Sequence, residues 1–168
     1  MSHTNVLLVS ADPADHASLR GALAGIRGEP YRLDVAGSLA DAIAAVRTGR
    51  VDAVVLGLNL PDSLGITTLL RLQPKATNVP IVVLVAERDE DLGRQAVDRG
   101  ALEFLVQGHV TAQLVDKVLR YATERTHTLK ALKASEQRYR ELFQNVTAGV
   151  FQTTVDGKFM AANPALVR

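Results

Sequence analysis

Five short apolar runs, each followed by a segment with helical spacing, constrain the fold of this chain more than any other feature. The runs are rich in valine, leucine and isoleucine, as is typical of parallel strands that are covered on both faces. Strands that alternate with helices predict a parallel sheet joined by right-handed crossovers. We therefore expect an α/β fold with a doubly wound sheet of five parallel strands. The predicted strands are residues 5–10, 31–36, 51–56, 81–85 and 102–106.

Helix-capping residues mark the starts of two of the intervening helices. Asp12 followed by Pro13 predicts an N-cap with proline at the first helical position. Ser38 with Asp41 three residues later predicts a capping box in which aspartate takes the usual place of glutamate. Both helices are expected to begin soon after a strand ends.

Charge and composition exclude several classes of function. The net charge is +1, so no strong field draws the chain to nucleic acid or to an anionic membrane, and we expect neither as a partner. No apolar run approaches the ~18 residues needed to span a bilayer. Without cysteine there is no disulfide, no thiolate metal site and no cysteine nucleophile. A cytoplasmic location fits these observations.

Several stretches at the predicted strands resemble the receiver domains of two-component response regulators. They are LLV at 7–9 with the following Asp12 and Pro13, VDAVVLGLNLPDSLG at 51–65, VPIVVLVA at 79–86 and GALEFLV at 100–106. The resemblance covers about residues 5–122. It implies a flavodoxin-like sheet with strand order 2-1-3-4-5 and a site at the carboxyl ends of the strands.

The resemblance also implies where a phosphoryl-accepting site would lie. In receivers an acidic pair ends the first strand, the acceptor aspartate ends the third, a hydroxyl residue ends the fourth and a lysine ends the fifth. Together these groups hold a divalent cation and the phosphoryl group. The corresponding positions here are Ser10, Ala11, Gly57, Val85 and Gln107. None carries the required group, so the sequence predicts a degenerate receiver without a catalytic residue, a metal or a cofactor.

The five replacements are consistent with one another. Without the acids, a lysine at position 107 would be a partly buried charge that lacks a partner, which costs on the order of 3–5 kcal/mol. Neutral Gln107 avoids that cost, and Val85 adds apolar burial where a hydroxyl would need a partner. The pocket beside Gly57 is accordingly expected to be uncharged.

Two alternatives to a non-phosphorylatable module remain open at the level of sequence. One is a working phosphorelay receiver that uses an atypical acceptor such as Asp12 or Asp62. Asp12 is better explained as a helix cap, however, and Asp62 as part of a turn. The other alternative is a small-ligand sensor in which a ligand fills the pocket beside Gly57.

From about Thr111 to Gln144 the pattern changes to one long helix. Apolar residues in two series at seven-residue spacing predict the seam of a parallel two-stranded coiled coil, and hence a homodimer. The alternative is that the first turns pack on the sheet and the rest is a solvated linker. The resemblance places Phe104 at an aromatic position that changes rotamer in working receivers, and here we expect it to be permanently packed. The predicted dimer face comprises Leu92, Phe104, Val115, Val118, Leu129 and Leu132.

Residues 135–168 resemble the opening of a PAS sensor domain, with a lead-in helix, a strand, a turn at Asp156 and Gly157, a second strand and an Asn-Pro pair. The predicted organisation is a receiver-like domain at 1–122, a helical linker at 123–144 and a truncated PAS fragment at 145–168. The resemblance implies a non-enzymatic signalling and dimerisation module of a multidomain two-component sensory protein. It would relay signals to its own PAS domain and to an output domain, which in similar architectures is a histidine kinase or a diguanylate cyclase.

Overall fold

The computed structural model describes residues 3–28 and 31–167. Contacts within the chain divide it into two compact units, Met1–Thr126 and His127–Arg168. The boundary between them falls inside a helix, close to the boundary that the sequence predicts at residue 122.

Five parallel strands form the sheet of the first unit. They are β1 (Thr4–Val9), β2 (Tyr31–Ala36), β3 (Ala53–Gly57), β4 (Ile81–Val85) and β5 (Glu103–Val106). Their order is β2-β1-β3-β4-β5, which confirms the predicted α/β fold and the strand order that the resemblance implied. Val9 pairs with Leu56, and Gly57 pairs with Leu84, so the carboxyl ends of the central strands lie together at one edge of the sheet.

Helices cover both faces of this sheet. They are α1 (Pro13–Ala24), α2 (Leu39–Arg47), α3 (Ile66–Leu72), α4 (Glu90–Asp98) and the first part of α5 (Ala112–Asn145). Successive side chains of a strand point to opposite faces. Leu7 and Val9 therefore pack in a cluster with α2, α3 and α4, whereas Val6 and Leu8 pack in a second cluster with α1 and α5. Two apolar layers thus hold the carboxyl edge of the sheet in place.

Side chains cap the helices that follow β1 and β2. The carboxylate of Asp12 accepts a hydrogen bond from the backbone N–H of Ala14 at 2.9 Å, and the hydroxyl of Ser38 accepts one from Asp41 at 3.1 Å. Each side chain satisfies an amide that the first helical turn leaves without a partner. Both predicted N-caps are confirmed.

The part of α5 that belongs to the first unit packs on the sheet. Val115 and Leu119 are at most 1% exposed and Val118 is 8% exposed, and all three belong to the apolar cluster with α1. The prediction that Val115 and Val118 contribute to a dimer face is therefore wrong, because they form the core of this domain. A core-facing helix repeats every ~3.6 residues and a coiled-coil seam every ~3.5, so the two patterns look alike over two heptads.

The second unit contains the end of α5, an antiparallel hairpin and a short helix. The hairpin strands are β6 (Phe151–Thr153) and β7 (Phe159–Ala162), and α6 (Pro164–Val167) follows them. Gly157 adopts φ +80° in the connecting turn, a conformation that glycine reaches without strain. The helix, strand, turn and second strand occur in the order that the sequence predicts.

Asn163 joins the ends of this hairpin. Its side chain is fully buried, and its Oδ1 accepts a hydrogen bond from the backbone N–H of Val150 at 2.9 Å. Its Nδ2 donates to the carbonyl oxygen of Ala148 at 2.9 Å. The amide thus satisfies backbone groups that precede β6 and fixes the start of the hairpin. Throughout residues 3–28 and 31–167, every helix is too short or too polar to cross a lipid bilayer.

Candidate functional site

Gly57 ends β3 at the carboxyl edge of the sheet, where the backbones of two strands come close. A Cβ atom built on Gly57 would lie 3.0 Å from the carbonyl oxygen of Val9 and 3.7 Å from the Cβ of Ser10. The first distance is shorter than an ordinary van der Waals contact, so a larger residue would require β1 to move by a few tenths of an ångström. Glycine at this position therefore both removes a nucleophile and permits the close approach of β1 and β3.

A cavity of about 210 Å³ opens at this edge. Four of the five positions that the resemblance singled out line it, namely Ser10, Gly57, Val85 and Gln107. The fifth, Ala11, is exposed and does not line it. The strand ends thus bring together the positions predicted from the sequence, apart from one.

The cavity is nevertheless not uncharged, as the sequence led us to expect. Asp12, Asp15, Arg88 and Asp89 contribute to its lining. The prediction is wrong because it counted only the strand ends, whereas α1 and the segment after β4 add charged side chains to the same space.

Asp15 is the buried acid at this edge, and sequence reasoning missed it. It is only 7% exposed, and its two carboxylate oxygens have different partners. The Ser10 hydroxyl donates to Oδ2 at 2.6 Å, and the Gln107 side-chain N–H donates to Oδ1 at 2.9 Å. The Ser10 oxygen in turn accepts the backbone N–H of Asp12 at 3.1 Å. Ser10 and Gln107, which replace an acid and a lysine of the family pattern, thus hold one carboxylate between them.

His16 adds a further contact between α1 and the end of β1. Its Nε2 lies 2.6 Å from the carbonyl oxygen of Ser10. A carbonyl oxygen only accepts hydrogen bonds, so Nε2 carries the proton that is donated. The first turn of α1 is therefore fastened to the strand end through both Asp15 and His16.

A signal for Asp15 was present in the sequence. Asp15 precedes Leu19 by four residues and Ala22 by seven, so it shares the apolar face of α1. A carboxylate on the buried face of a helix requires hydrogen-bond donors from elsewhere in the fold. That requirement also corrects the argument about position 107, because a lysine there would have had Asp15 as a partner.

Asp62 lies in the predicted turn, which joins two short antiparallel strands after β3 and in which Leu60 pairs with Ser63, but its side chain has a further role. Its carboxylate accepts the backbone N–H groups of Leu39 at 2.8 Å and Ala40 at 3.0 Å, and so caps α2 from the loop after β3. These two amide hydrogen bonds, with a smaller contribution from Arg71, lower the pKa of the Asp62 carboxyl below its usual range. Asp12 and Asp62 both serve as helix caps, and of the two only Asp12 also lines the cavity.

Phe104 packs directly against a glycine of α4. A Cβ atom built on Gly93 would lie 2.6 Å from Cδ2 and 2.7 Å from Cγ of the Phe104 ring. The ring is partly buried and belongs to the apolar cluster with α2, α3 and α4. Gly93 therefore leaves a notch in α4 that this ring occupies.

The acidic side chains at the cavity are not grouped as a set of three or more metal ligands. No group of three or more His, Cys, Asp or Glu residues that could hold a metal occurs in the part of the chain that the structure describes. Magnesium and calcium require several oxygen ligands from the protein, from substrate or from water. The carboxylates at the carboxyl edge can therefore accept hydrogen bonds and attract positively charged groups, but they do not form a complete set of metal ligands.

The sheet order and the position of the site define a receiver-type signalling domain. The sequence profile of the family described as "Response regulator receiver domain" matches residues 6–119. This chain belongs to that family. Receiver domains are signalling modules rather than enzymes, in agreement with the prediction that this chain is not an enzyme.

Curated relatives and solved structures agree with this assignment. The chain is 28% identical over 158 residues to the transcriptional regulatory protein PrrA of Mycobacterium tuberculosis, covering 94% of this chain and 62% of PrrA. It is 31% identical over 118 residues to PrrA of Mycobacterium leprae, covering 70% of this chain and 49% of that protein. The chain thus spans less than two thirds of the length of these relatives.

Two solved structures illustrate the shared fold. The signal receiver domain of an HD domain-containing protein from Pseudomonas fluorescens Pf-5 superposes with a TM-score of 0.66 at 24% identity, covering 76% of this chain and 92% of that chain. A structure described as an adenylate cyclase from Rhodopirellula baltica gives a TM-score of 0.68 at 14% identity, covering 81% of this chain and 98% of that chain. At these identities the likeness concerns the fold alone.

Proposed function

We propose that this chain is a receiver domain that does not accept a phosphoryl group. The observation that carries the proposal is Gly57, which stands at the carboxyl end of β3 without a side chain. The nearest buried carboxylate, Asp15, has a hydrogen bond to each of its oxygens, from Ser10 and Gln107. A phosphoryl transfer also needs a bound cation and a positive group to offset the charge on the phosphoryl oxygens. Neither cation ligands nor a lysine stands at the corresponding strand ends.

Incubation with acetyl phosphate and magnesium tests this proposal. We expect the intact mass of the wild-type protein to remain unchanged under conditions that fully modify a working receiver assayed in parallel. The reason is that Gly57 offers no nucleophile and that both oxygens of Asp15 already accept hydrogen bonds. Covalent addition of one phosphoryl group would contradict the proposal.

Three variants locate the acceptor if addition occurs. They are Asp12→Asn, Asp15→Asn and Asp62→Asn, each of which removes one candidate carboxylate with little change in shape. Loss of the added mass in one variant alone would identify that aspartate as an atypical acceptor, and the chain would then be a working phosphorelay receiver.

We further propose that the chain forms a homodimer through the exposed part of α5. Within the second unit, Leu129, Leu132 and Tyr139 are 48%, 64% and 52% exposed, and they continue the heptad series. Exposed leucines at a and d positions gain about 1.5–3 kcal/mol each when a partner helix buries them. Because the earlier heptads pack in the core, the proposed seam begins at Leu129.

Sedimentation measurements on a Leu129→Lys/Leu132→Lys variant test the dimer. We expect the dimer to weaken at least about 100-fold, because two apolar seam positions become charged in each helix. The matched control is Ala131→Lys/Ala134→Lys, which places the same charges at c and f positions of the same helix and is expected to dimerise like wild type. A wild-type protein that remains a monomer at all concentrations, or two variants that behave alike, would count against the proposed seam.

We also propose that residues 145–168 are the first part of a PAS domain in a multidomain two-component protein. In support, Phe151 and Phe159 pair across the hairpin with their ring centroids 5.5 Å apart, yet both remain more than half exposed. Met160 is 68% exposed as well. A hairpin with exposed aromatic residues is completed when further strands cover it, as in a whole PAS domain. Output through a histidine kinase or a diguanylate cyclase would then come from other parts of the protein.

A further inference from the structure

A second cavity, of about 280 Å³, lies between α1 and the segment that joins β5 to α5. Its apolar lining includes Leu19 of α1, Leu105 of β5 and Val110 at the approach to α5. Asp12, Asp15, Leu84 and Gln107 line this cavity as well as the one beside Gly57, so the two cavities are adjacent. The cavity is close in size to the smaller ligand sites of proteins, which begin near ~300 Å³.

The carboxylate of Asp15 forms no ion pair with any of the residues that the structure describes. Within residues 3–28 and 31–167, no lysine, arginine or histidine nitrogen lies within the 4.0 Å of its oxygens that defines an ion pair. No cationic residue lines the second cavity, which holds the carboxylate of Asp12 in addition. A buried charge is costly unless it is paired, so this arrangement favours a cation supplied from outside.

Asp15 also retains capacity to accept further hydrogen bonds. A carboxylate offers about four lone-pair positions. The Ser10 hydroxyl and the Gln107 amide each donate one hydrogen bond to it. About two of these positions therefore remain for the N–H groups of a ligand, without displacement of the protein's own donors.

We propose that this cavity binds a small primary ammonium compound with one short apolar group. The ammonium donates to Asp15 at the polar end, and the apolar group contacts Leu19, Leu105 and Val110. The Ser18 hydroxyl, which also lines the cavity, lies at its α1 side. An anionic ligand would meet two carboxylates, and a neutral one would leave the charge of Asp15 uncompensated.

A bound metal ion explains the site less well. No cluster of three or more metal-ligating side chains occurs in the described part of the chain, and most of the surface of this cavity is apolar. A hydrated divalent ion gains nothing from an apolar wall, whereas an alkyl or aryl ammonium compound uses both ends of the cavity. The proposal does not rest on the absence of an acceptor at Gly57, but it requires that Asp15 is not itself an atypical acceptor.

Methyl-detected NMR titration of the whole chain with 2-phenylethylammonium tests the proposal. We expect saturable shifts at the methyl groups of Leu19, Leu105 and Val110, and at least ~10-fold weaker binding of the neutral isostere 2-phenylethanol. In Asp15→Asn the preference for the ammonium compound should fall, because only the carboxylate of Asp12 remains at this cavity. The control Asp98→Asn removes an exposed carboxylate of α4, which lines neither cavity, and should bind as wild type does.

Three outcomes would overturn the proposal. They are the absence of saturable shifts, equal binding of the ammonium compound and the alcohol, and the same Asp15-dependent shifts with magnesium chloride alone. Asp15→Asn retains an acceptor for Ser10 and its folding is checked by thermal unfolding. A second variant, Ser18→Leu, narrows the cavity without a change in charge and should weaken both organic ligands.

Discussion

We expect the free energy of unfolding of the Gly57→Asp variant to be about 3 kcal/mol lower than that of the wild-type protein. We also expect this variant to remain unphosphorylated. Two effects contribute to the loss. A Cβ at this position would lie 3.0 Å from the Val9 carbonyl oxygen, and the new carboxylate would share its cavity with Asp15. A buried charge without a partner costs several kcal/mol. Urea denaturation at neutral pH measures the change.

Gly57→Asn and Gly57→Ala are the matched controls. Gly57→Asn has nearly the same shape as the aspartate variant but no charge. Gly57→Ala adds only the Cβ and is expected to lower the free energy of unfolding by about 1 kcal/mol. Burial beside another carboxylate raises the pKa of the introduced acid, so its penalty is present above its unfolded pKa of about 4 and disappears below it. If the aspartate and asparagine variants are equally stable from pH 4 to 8, charge is not the cause.

A second substitution restores the lysine that the family pattern has at the position of Gln107. Adding Gln107→Lys to Gly57→Asp is expected to recover about half of the lost stability, because the lysine can pair with the new carboxylate and with Asp15. The distance of 2.9 Å from the Gln107 side-chain nitrogen to Asp15 Oδ1 supports this expectation. A double variant no more stable than the single one would show that charge balance does not govern the cavity.

The Gly93→Ala variant is expected to lower the free energy of unfolding by about 2 kcal/mol, although alanine favours helices. Its Cβ would lie 2.6 Å from the Phe104 ring, and the ring or α4 would have to move. Gly21→Ala is the matched control, since Gly21 lies in α1 with nothing within 4 Å of an added Cβ. That control should gain about 0.5–1 kcal/mol from helix propensity.

The Phe104→Ala substitution tests whether a steric conflict with the Phe104 ring is the cause of the destabilisation by Gly93→Ala. In the Phe104→Ala background, Gly93→Ala should no longer be destabilising, so the two substitutions are strongly coupled in a double-mutant cycle. If Gly93→Ala instead stabilises the wild-type protein as Gly21→Ala does, the ring moves aside at little cost. Phe104 would then be a mobile side chain, contrary to the expectation that it is permanently packed.

The fold could be predicted from sequence because its signals are local. The apolar runs at 51–56 and 81–85 correspond to β3 (Ala53–Gly57) and β4 (Ile81–Val85), with only the ends of β3 displaced. The Asp12 and Ser38 caps were predicted from neighbouring residues alone. Strand order, in contrast, came from the family resemblance and not from the spacing of apolar residues.

The site was harder to predict from the sequence than the fold, because its contacts join distant parts of the chain. Gln107 meets Asp15 across 92 residues, and Asp62 reaches Leu39 across 23. Sequence reasoning judges a carboxylate by its neighbours in the chain, so Asp15 was overlooked, and Asp62 was correctly placed in a turn while its contact with α2 was missed. The misplacement of Val115 has a different cause, since spacing alone does not say whether a helix face meets its own sheet or a second helix.

The contact from Asp62 to α2 gives the domain a mechanical link that needs no phosphate. Through its hydrogen bonds to Leu39 and Ala40, the loop after β3 supplies part of the start of a helix that lines neither cavity. A displacement of that loop would break the hydrogen bonds to Leu39 and Ala40 and leave Ser38 as the remaining cap of α2. A structural change beside Gly57 would in this way alter the start of α2, a helix that lines neither cavity.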